Sequence, residues 1–220
     1  MRTYRELVFS VLDSVKIFSD DSVWETDHIV SLLTKHRVLL FTQKYKGKKV
    51  EIPFANYQRL NVGFTTQIAG TNIYKSTKQI PQILDITDLW KYTFVSGGGI
   101  ATNNLNFVNP YKFKFVGISK WLSSQKYVTI DMDNFMYIKK NETTTSQILQ
   151  YDTILDNPID GYRFNGNDEL DVLDFEFPCE ESLIQPIIDL CIKEIAAING
   201  IPRDAVNNAT DDLSLPKQQN

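Results

Sequence analysis

Hydrophobic residues at helical spacing mark the start of the chain. Between Tyr4 and Lys16 they recur every three or four positions, which predicts a short amphipathic helix. After the polar break FSDDS, a second stripe predicts a longer helix that starts at an N-cap, Thr26, and ends after Tyr45 at Gly47. Together they form a predicted helical hairpin. The stripes are Tyr4, Leu7, Val8, Val11, Leu12 and Val15, then Ile29, Leu32, Leu33, His36, Leu39 and Leu40.

A third helical stripe lies near the other end, in FPCEESLIQPIIDLCIKEI. Glu180 and Glu181 stand where the helix dipole favours acids, Pro186 limits how early the regular hydrogen bonding can begin, and Gly200 ends the helix. The stripe is wider than a solvent-facing helix needs, so we expect it to pack on both N-terminal helices. Its members are Ile184, Ile187, Ile188, Cys191, Ile192, Ile195 and Ile198.

The middle of the chain is dense in β-forming residues. TDLWKYTFV, YKFKFVGIS and KYVTIDMDNFMYIKK alternate in polarity or are rich in aromatic and β-branched residues. In the second run Tyr111, Phe113 and Phe115 share one face, and the third run divides at DMDN into a hairpin or a bulged strand. DTILDNPIDGYRF and LDVLDFEF are expected to add two or three short strands, with turns at Asn157-Pro158 and after Gly166.

These elements predict an α+β fold. Residues 1–49 form an N-terminal helical hairpin, and residues 50–176 form an inserted antiparallel β domain, sandwich or barrel-like. Residues 177–200 form a C-terminal helix that completes a small bundle with the hairpin, and residues 201–220 form an extended tail.

Composition narrows the function. The net charge of −4 and pI near 5.2 argue against tight wrapping of nucleic acid, which needs clustered Lys and Arg. No window approaches about 18 apolar residues, so no membrane partner is expected. Cys179 and Cys191 are too far apart along one helical segment for a disulfide, and we expect both to be reduced, buried and inert.

No motif predicts catalysis, a cofactor or a metal. The glycine-rich stretch SGGGIATNN, with Gly97, Gly98 and Gly99, lacks the Gly-Lys-Ser/Thr ending of a phosphate-binding loop, and a β-turn or contact loop is the better interpretation. DMDNF lacks the glycine and closing Glu of a calcium loop, and NGNDELD is typical of a solvated hairpin tip. His28 and His36 lie two helical turns apart, too far to share a metal. Glycosidase chemistry needs only two carboxylates, so the sequence leaves it open.

The last twenty residues, IPRDAVNNATDDLSLPKQQN, are too polar to form a core by themselves. Ile201, Val206, Leu213 and Leu215 are nevertheless spaced like anchors for another surface. Two interpretations remain open: a frayed terminus, or a segment that becomes ordered on a neighbouring chain.

Both ends of the chain resemble one protein family. FPCEESLIQPIIDLCIKEI with NNATDDLS, and the helical opening from YRELVF to FTQKY, are similar to structural proteins of crAss-like short-tailed bacteriophages. The resemblance implies a head-to-tail connector, or ring, protein of the virion neck. It also implies a ring of twelvefold symmetry, contacts with the portal and with neighbouring tail or ring proteins, and DNA only in transit through the lumen.

Two alternatives remain at this point. A β-rich carbohydrate-binding or carbohydrate-active module would use YKFKF and Trp90 or Trp121 to stack against sugars. The other is a different tail or virion component of the same type of phage.

Overall fold

A computed structural model describes residues 1–16, 24–48, 50–68, 71–86, 106–116, 127–139 and 147–198. Its helices are α1 (Tyr4–Lys16), α2 (Thr26–Tyr45), α3 (Pro110–Phe113), α4 (Pro158–Phe164) and α5 (Glu181–Ile198). Its strands are β1 (Gln58–Gln67), β2 (Ile73–Ser76), β3 (Asn106–Phe107), β4 (Tyr127–Ile130), β5 (Met136–Lys139) and β6 (Gln147–Thr153), and 3₁₀ turns occupy Phe54–Asn56 and Val172–Asp174. The predicted α+β class is confirmed.

Helices α1, α2 and α5 form a bundle. α5 packs against both N-terminal helices, as its wide apolar stripe predicts. One continuous core runs through the three helices and includes Phe175 and Phe177 from the segment that leads into α5. The buried stripe of α5 stops before the end of the helix. Ile195 is buried, whereas Ile198, the last residue of α5, is 58% exposed.

One predicted helix start is wrong. Thr26 is the first helical residue of α2 and not its cap; Glu25 holds the extended cap backbone, and its carbonyl accepts hydrogen bonds from the next turn. The start of α5 is confirmed, since the helix begins at Glu181 and Pro186 lies inside it, five residues on. Pro186 removes its own N–H from the ladder and crowds the carbonyl of Ser182, a cost that the packing of α5 on α1 and α2 offsets. The predicted end of α2 is confirmed, since Gly47 has a positive φ of 70°.

The strands form one curled six-stranded sheet in the order β3-β4-β5-β2-β1-β6. All neighbours are antiparallel except β3 and β4, which are parallel. A smaller second core lines this sheet, with Leu60, Val62, Val128 and Leu149 at its centre. The predicted antiparallel sheet is therefore confirmed in the main, with one parallel pair that the sequence did not indicate.

The predicted division at DMDN is a hairpin, the first of the two alternatives that the sequence left open. It joins β4 to β5, and Asn134 in its turn has a φ of 57°. One carboxylate oxygen of Asp131 accepts hydrogen bonds from the backbone N–H groups of Asp133 (3.1 Å) and Phe135 (2.9 Å). The acidic turn thus uses a carboxylate to hold its own backbone.

Two predicted strands are short helices instead. YKFKF begins as α3, and NPIDGYRF contains α4. Each helix starts with a proline, and the side chain of the Asn just before that proline accepts a hydrogen bond from the N–H of the second helical residue. The distances are 3.0 Å for Asn109 and 3.2 Å for Asn157. An Asn cap followed by proline at the first position is a helix start that outweighs β propensity. LDVLDFEF contains a 3₁₀ turn and a single bridge, Thr3 to Glu176.

Helix α4 lies against β1 and extends its hydrogen bonding. The Asn165 side chain accepts from the backbone N–H of Asn61 (2.9 Å) and donates to the carbonyl of Arg59 (2.8 Å). The Gln58 side chain donates to the carbonyl of Pro158 (3.0 Å). A Cβ at Gly161 would come within 2.6 Å of Leu155, so a glycine is needed for this close approach.

Candidate interface

The start of α5 is held by a polar cluster that reaches across the chain. Glu180 accepts hydrogen bonds on one carboxylate oxygen from Lys44 Nζ (2.8 Å) and from the hydroxyl of Tyr45. Its backbone N–H donates to the side chain of Asn56 (2.6 Å), and Asn56 in turn donates to Tyr45. The cluster therefore joins α2 and the 3₁₀ turn before β1 to the start of α5.

The pKa values in this cluster reflect the same contacts. Burial would raise the pKa of Glu180, but hydrogen bonds from Lys44 and Tyr45 bring it below its usual value. The pKa of Lys44 is raised by its bond to Glu180. Burial, reinforced by the carboxylate, raises the pKa of Tyr45 to about 12. At neutral pH the cluster consequently holds a charged pair and a protonated phenol.

A buried arginine makes the second long-range connection. Arg37 is wholly inaccessible to solvent and donates to the carbonyls of Pro178 and Leu155, each at 2.9 Å. Its guanidinium also lies 4.5 Å from the ring centre of Phe41. Burial lowers the pKa of Arg37 to about 10, which leaves it charged at neutral pH. Arg37 thus links α2 to the end of the sheet and to the entry of α5.

The predicted inert side chains agree with the structure. Cys179 and Cys191 are unpaired and buried, and burial raises both thiol pKa values to about 12. A thiol with such a pKa supplies little thiolate, the reactive form. His36 is buried, with Nε2 2.9 Å from a carboxylate oxygen of Glu194 on α5, and burial lowers its pKa. It belongs to the packing between two helices.

One acidic residue of NGNDELD, Asp171, makes contacts within the chain. Asp171 caps the 3₁₀ turn by accepting from the N–H of Leu173 (3.0 Å), and it also pairs with Arg5 at 3.1 Å. Asp174 pairs with the same arginine at 2.8 Å. Within the described part of the chain, His, Cys, Asp and Glu form no group of three or more that could hold a metal ion.

A cleft of about 630 Å³ lies between α2 and α4. Its charged lining residues are Asp27 and Asp156, opposed by Lys35 and Arg163. The four charges sum to zero, and the lining also contains the polar side chains of Ser31, Thr34 and Asn157.

Among the exposed large apolar side chains, some lie near opposite ends of the sheet. Tyr111 and Phe115, on and just after α3, are 73% and 72% exposed beside the β3 end. Ile148 on β6, at the opposite end of the strand order, is 60% exposed. Exposed apolar groups of this kind are typical of contact surfaces. The β-forming residues predicted a strand at Tyr111 and Phe115, where the structure has α3. The Asn109-Pro110 pair was the signal that could have identified this helix.

Several predicted features lie outside the described residues. They are the predicted strand TDLWKYTFV, the aromatic residues Trp90 and Trp121, and the predicted contact residues Gly97, Gly98, Gly99, Ile201, Val206, Leu213 and Leu215. Among the helices that the structure describes, none is long and apolar enough to cross a membrane.

Comparison with known proteins covers nearly the whole chain. Residues 6–213 match the model of the family described as phage tail ring protein 2. Ring protein 2 of Bacteroides phage crAss001 is 27% identical over 226 aligned positions, which cover 96% of this chain and 98% of that protein. The similarity extends through the sheet region, beyond the two terminal segments in which the sequence resembles the family. The chain therefore belongs to the phage tail ring protein 2 family.

Proposed function

We propose that the protein forms a ring in the neck of a phage virion, where it connects the capsid portal to the tail and surrounds the DNA channel. The observation that carries this proposal is the family match over residues 6–213. The ring would contain twelve copies and would contact the portal and neighbouring ring or tail proteins. Its role would be structural, without catalysis.

A ring built from one chain needs two different surfaces on each copy. In a cyclic assembly one patch meets a different patch of the next copy, so the contacts are heterologous. The bundle supports this arrangement because Arg37 and the Glu180 cluster hold α5 rigidly, and the tail continues from α5. We assign the tail anchors Ile201, Val206, Leu213 and Leu215, together with the loop at Gly97, Gly98 and Gly99, to contacts with neighbours.

The acidic composition supports passage of DNA. With a net charge of −4, the chain has no excess of Lys and Arg to neutralise DNA phosphates and release their counterions, so DNA would pass without being retained. The carbohydrate-binding alternative places its sugar-stacking aromatic residues in YKFKF, which begins as helix α3, and at Trp90 or Trp121, which lie outside the described residues.

Immunogold electron microscopy of particles from a culture that produces the protein tests the proposal. We expect gold at the single vertex where head meets tail. Gold over the whole capsid or along fibres would place the protein at another position in the virion. Absence of labelling on particles would argue against a virion component.

Deletion of residues 207–220 tests the role of the tail. We expect the melting temperature to stay nearly unchanged, because a polar tail contributes little to the core of its own subunit, whereas incorporation into particles is lost. Calorimetry and immunoblots of purified particles measure the two effects. A large fall in melting temperature would show that the tail packs on its own subunit.

A further inference from the structure

Charged residues are distributed unevenly along the chain. Residues 89–130 contain five lysines and no acidic residue, whereas residues 152–181 contain ten acidic residues and one basic residue, Arg163. One chain therefore has a basic section and an acidic section. Opposite charges of this kind allow identical copies to attract each other, provided that each section presents charges that are not already paired within its own subunit.

In the basic section, α3 exposes two lysines and two aromatic rings. Tyr111 is 73% exposed and Phe115 is 72% exposed, and their spacing of four residues places both rings on the same side of the helical turn. Lys112 and Lys114 are also exposed, and neither makes an ion pair with any residue that the structure describes. We call these four residues the α3 face.

The α3 face is supported by the sheet. Phe113, on the opposite side of the turn, is 6% exposed, and α3 packs against β4. The side chain of Asn109 caps the start of the turn, and Lys139 Nζ on β5 donates to the carbonyl of Val116 (2.7 Å) just after it. The exposed lysines and rings consequently stand on a fixed turn of backbone.

The acidic section presents carboxylates of two kinds. Asp171 and Asp174 pair with Arg5 and are neutralised within the subunit. Asp168 and Glu169, which precede them in the chain, are exposed and make no ion pair within the described residues. The charge of these two carboxylates is therefore available to another molecule.

The acidic turn, residues 168–170, is held on both sides. Before it, the side chain of Asn165 bonds to the backbone of β1, and after it, Asp171 caps the 3₁₀ turn. Leu170, the last residue of the acidic turn, is 57% exposed. The acidic turn thus presents two carboxylates and one apolar side chain at a defined position.

We propose that the acidic turn of one copy binds the α3 face of the next copy. The proposal rests on the ring function, because a cyclic assembly joins two unlike patches. The patches match in charge and in polarity, since two carboxylates meet two ammonium groups and Leu170 meets the aromatic rings. They also belong to different parts of the sheet: α3 packs on β4 and α4 packs on β1, and β5 and β2 lie between these strands. Exposed ion pairs contribute little by themselves, so burial of the apolar side chains supplies most of the affinity, and the charges select the partner.

Reciprocal charge reversal in phage particles tests the proposal. One variant carries Lys112→Glu with Lys114→Glu, a second carries Asp168→Lys with Glu169→Lys, and a third carries all four substitutions. Because like charges would then face each other, we expect each of the first two to lower incorporation into particles by about tenfold or more, and the third to restore it to within about twofold of the parent. Immunoblots of purified particles measure incorporation.

Lys46→Glu with Lys48→Glu is the matched control, because these exposed lysines have the same spacing just after α2. It should be incorporated like the parent. All variants should melt within about 2 °C of the parent, since each substituted side chain is exposed. Loss of incorporation that the fourfold variant does not restore would overturn the proposal. Loss with the lysine reversal alone would also overturn it, and would indicate that the α3 face binds another partner, such as DNA phosphates.

Carbodiimide cross-linking of parent particles provides a measurement without substitutions. The reagent forms an amide between an ammonium group and a carboxylate that lies beside it. We expect mass spectrometry to find Lys112 or Lys114 joined to the acidic turn in the dimers and larger species of a denaturing gel. The same linkage confined to the monomer band, or its absence, would overturn the contact between copies.

The position of the ring is measured separately, by gold labelling of the parent particles. Gold at the head-to-tail vertex without recovery in the fourfold variant would overturn the contact between the acidic turn and the α3 face alone. Recovery with gold elsewhere would overturn the proposed neck position and leave the contact standing.

Discussion

The helical bundle and the sheet are stabilised in different ways. In the bundle, α5 packs against both α1 and α2. Polar contacts over long sequence separations also connect the bundle to the rest of the chain; Arg37 of α2, for example, donates to the carbonyls of Leu155 and Pro178. The sheet has a smaller core, and large apolar side chains are exposed on it and beside it, at Ile148 on β6 and at Tyr111 and Phe115 near β3.

This contrast suggests a division of work. A closed and connected bundle keeps the direction of α5 constant, and a sheet region with exposed apolar groups offers surfaces to other chains. A ring subunit needs both properties. Errors in the direction of α5 would accumulate from one copy to the next around the ring, and the contact surfaces must remain exposed until the copies assemble. Stability measurements should therefore separate the two regions.

The largest effect is expected where the two regions meet. Arg37→Ala leaves two buried carbonyls without donors and opens a cavity beside Phe41, which should lower the free energy of unfolding by about 3–5 kcal/mol. Lys35→Ala, on the same helix and 60% exposed, should cost less than about 1 kcal/mol. Urea denaturation measures both. A similar loss for the two variants would show that the buried arginine does not join the regions.

Within the bundle, the two ends of the α5 stripe provide a matched pair. Ile187→Ala removes a side chain that is 1% exposed and should cost about 2–4 kcal/mol. Ile198→Ala makes the same change at a site that is 58% exposed and should stay within about 0.5 kcal/mol of the parent chain. Thermal unfolding followed by circular dichroism compares them. Equal losses would contradict the observed end of the bundle core.

On the sheet side, Gly161→Ala should destabilise the chain by about 1–2 kcal/mol. The new Cβ would meet Leu155 Cδ1 at 2.6 Å and Gln58 Nε2 at 3.2 Å, and the resulting overpacking outweighs the gain in helix propensity. Gly63→Ala on β1 is the control, because its nearest neighbour would lie at an ordinary 3.4 Å. A stabilised Gly161→Ala variant would show that α4 is not held tightly against β1.

The smallest effect concerns pH and the contact of α2 with α5. Burial lowers the pKa of His36 below its ordinary 6.5, so the folded state favours the neutral ring, although Glu194 opposes the shift and Lys35 adds to it. The unfolded chain then binds more protons as the pH falls through about 6.5, and stability decreases. His36→Gln should flatten the dependence of stability on pH between about pH 7.5 and 5.5. An unchanged slope would show that His36 does not contribute to it.

The accuracy of the sequence predictions differed between the same two regions. The helical stripes predicted the three bundle helices and the two partners of α5, because periodicity over many residues reflects one buried face. In the sheet region, YKFKF and NPIDGYRF were assigned to strands from their β-forming residues, yet Asn109 and Asn157 cap helices there. One local hydrogen bond next to a proline outweighs a weak propensity over a few residues. The tail anchors and the glycine-rich loop remain predictions.

The sequence by itself determined the α+β class, the bundle of terminal helices, the division of the third β-forming run at DMDN and the family, because each depends on periodicity or on residue order along the chain. Only the tertiary structure decided that Arg37 is buried, that Glu180 joins α5 to Tyr45 and Asn56, and that β6 lies at the end of the sheet. These features depend on residues far apart in sequence: nothing near Arg37 in the chain indicates that its partners are the carbonyls of Leu155 and Pro178. An edge strand, likewise, is defined by the neighbour it lacks, and strand order is a property of the whole sheet.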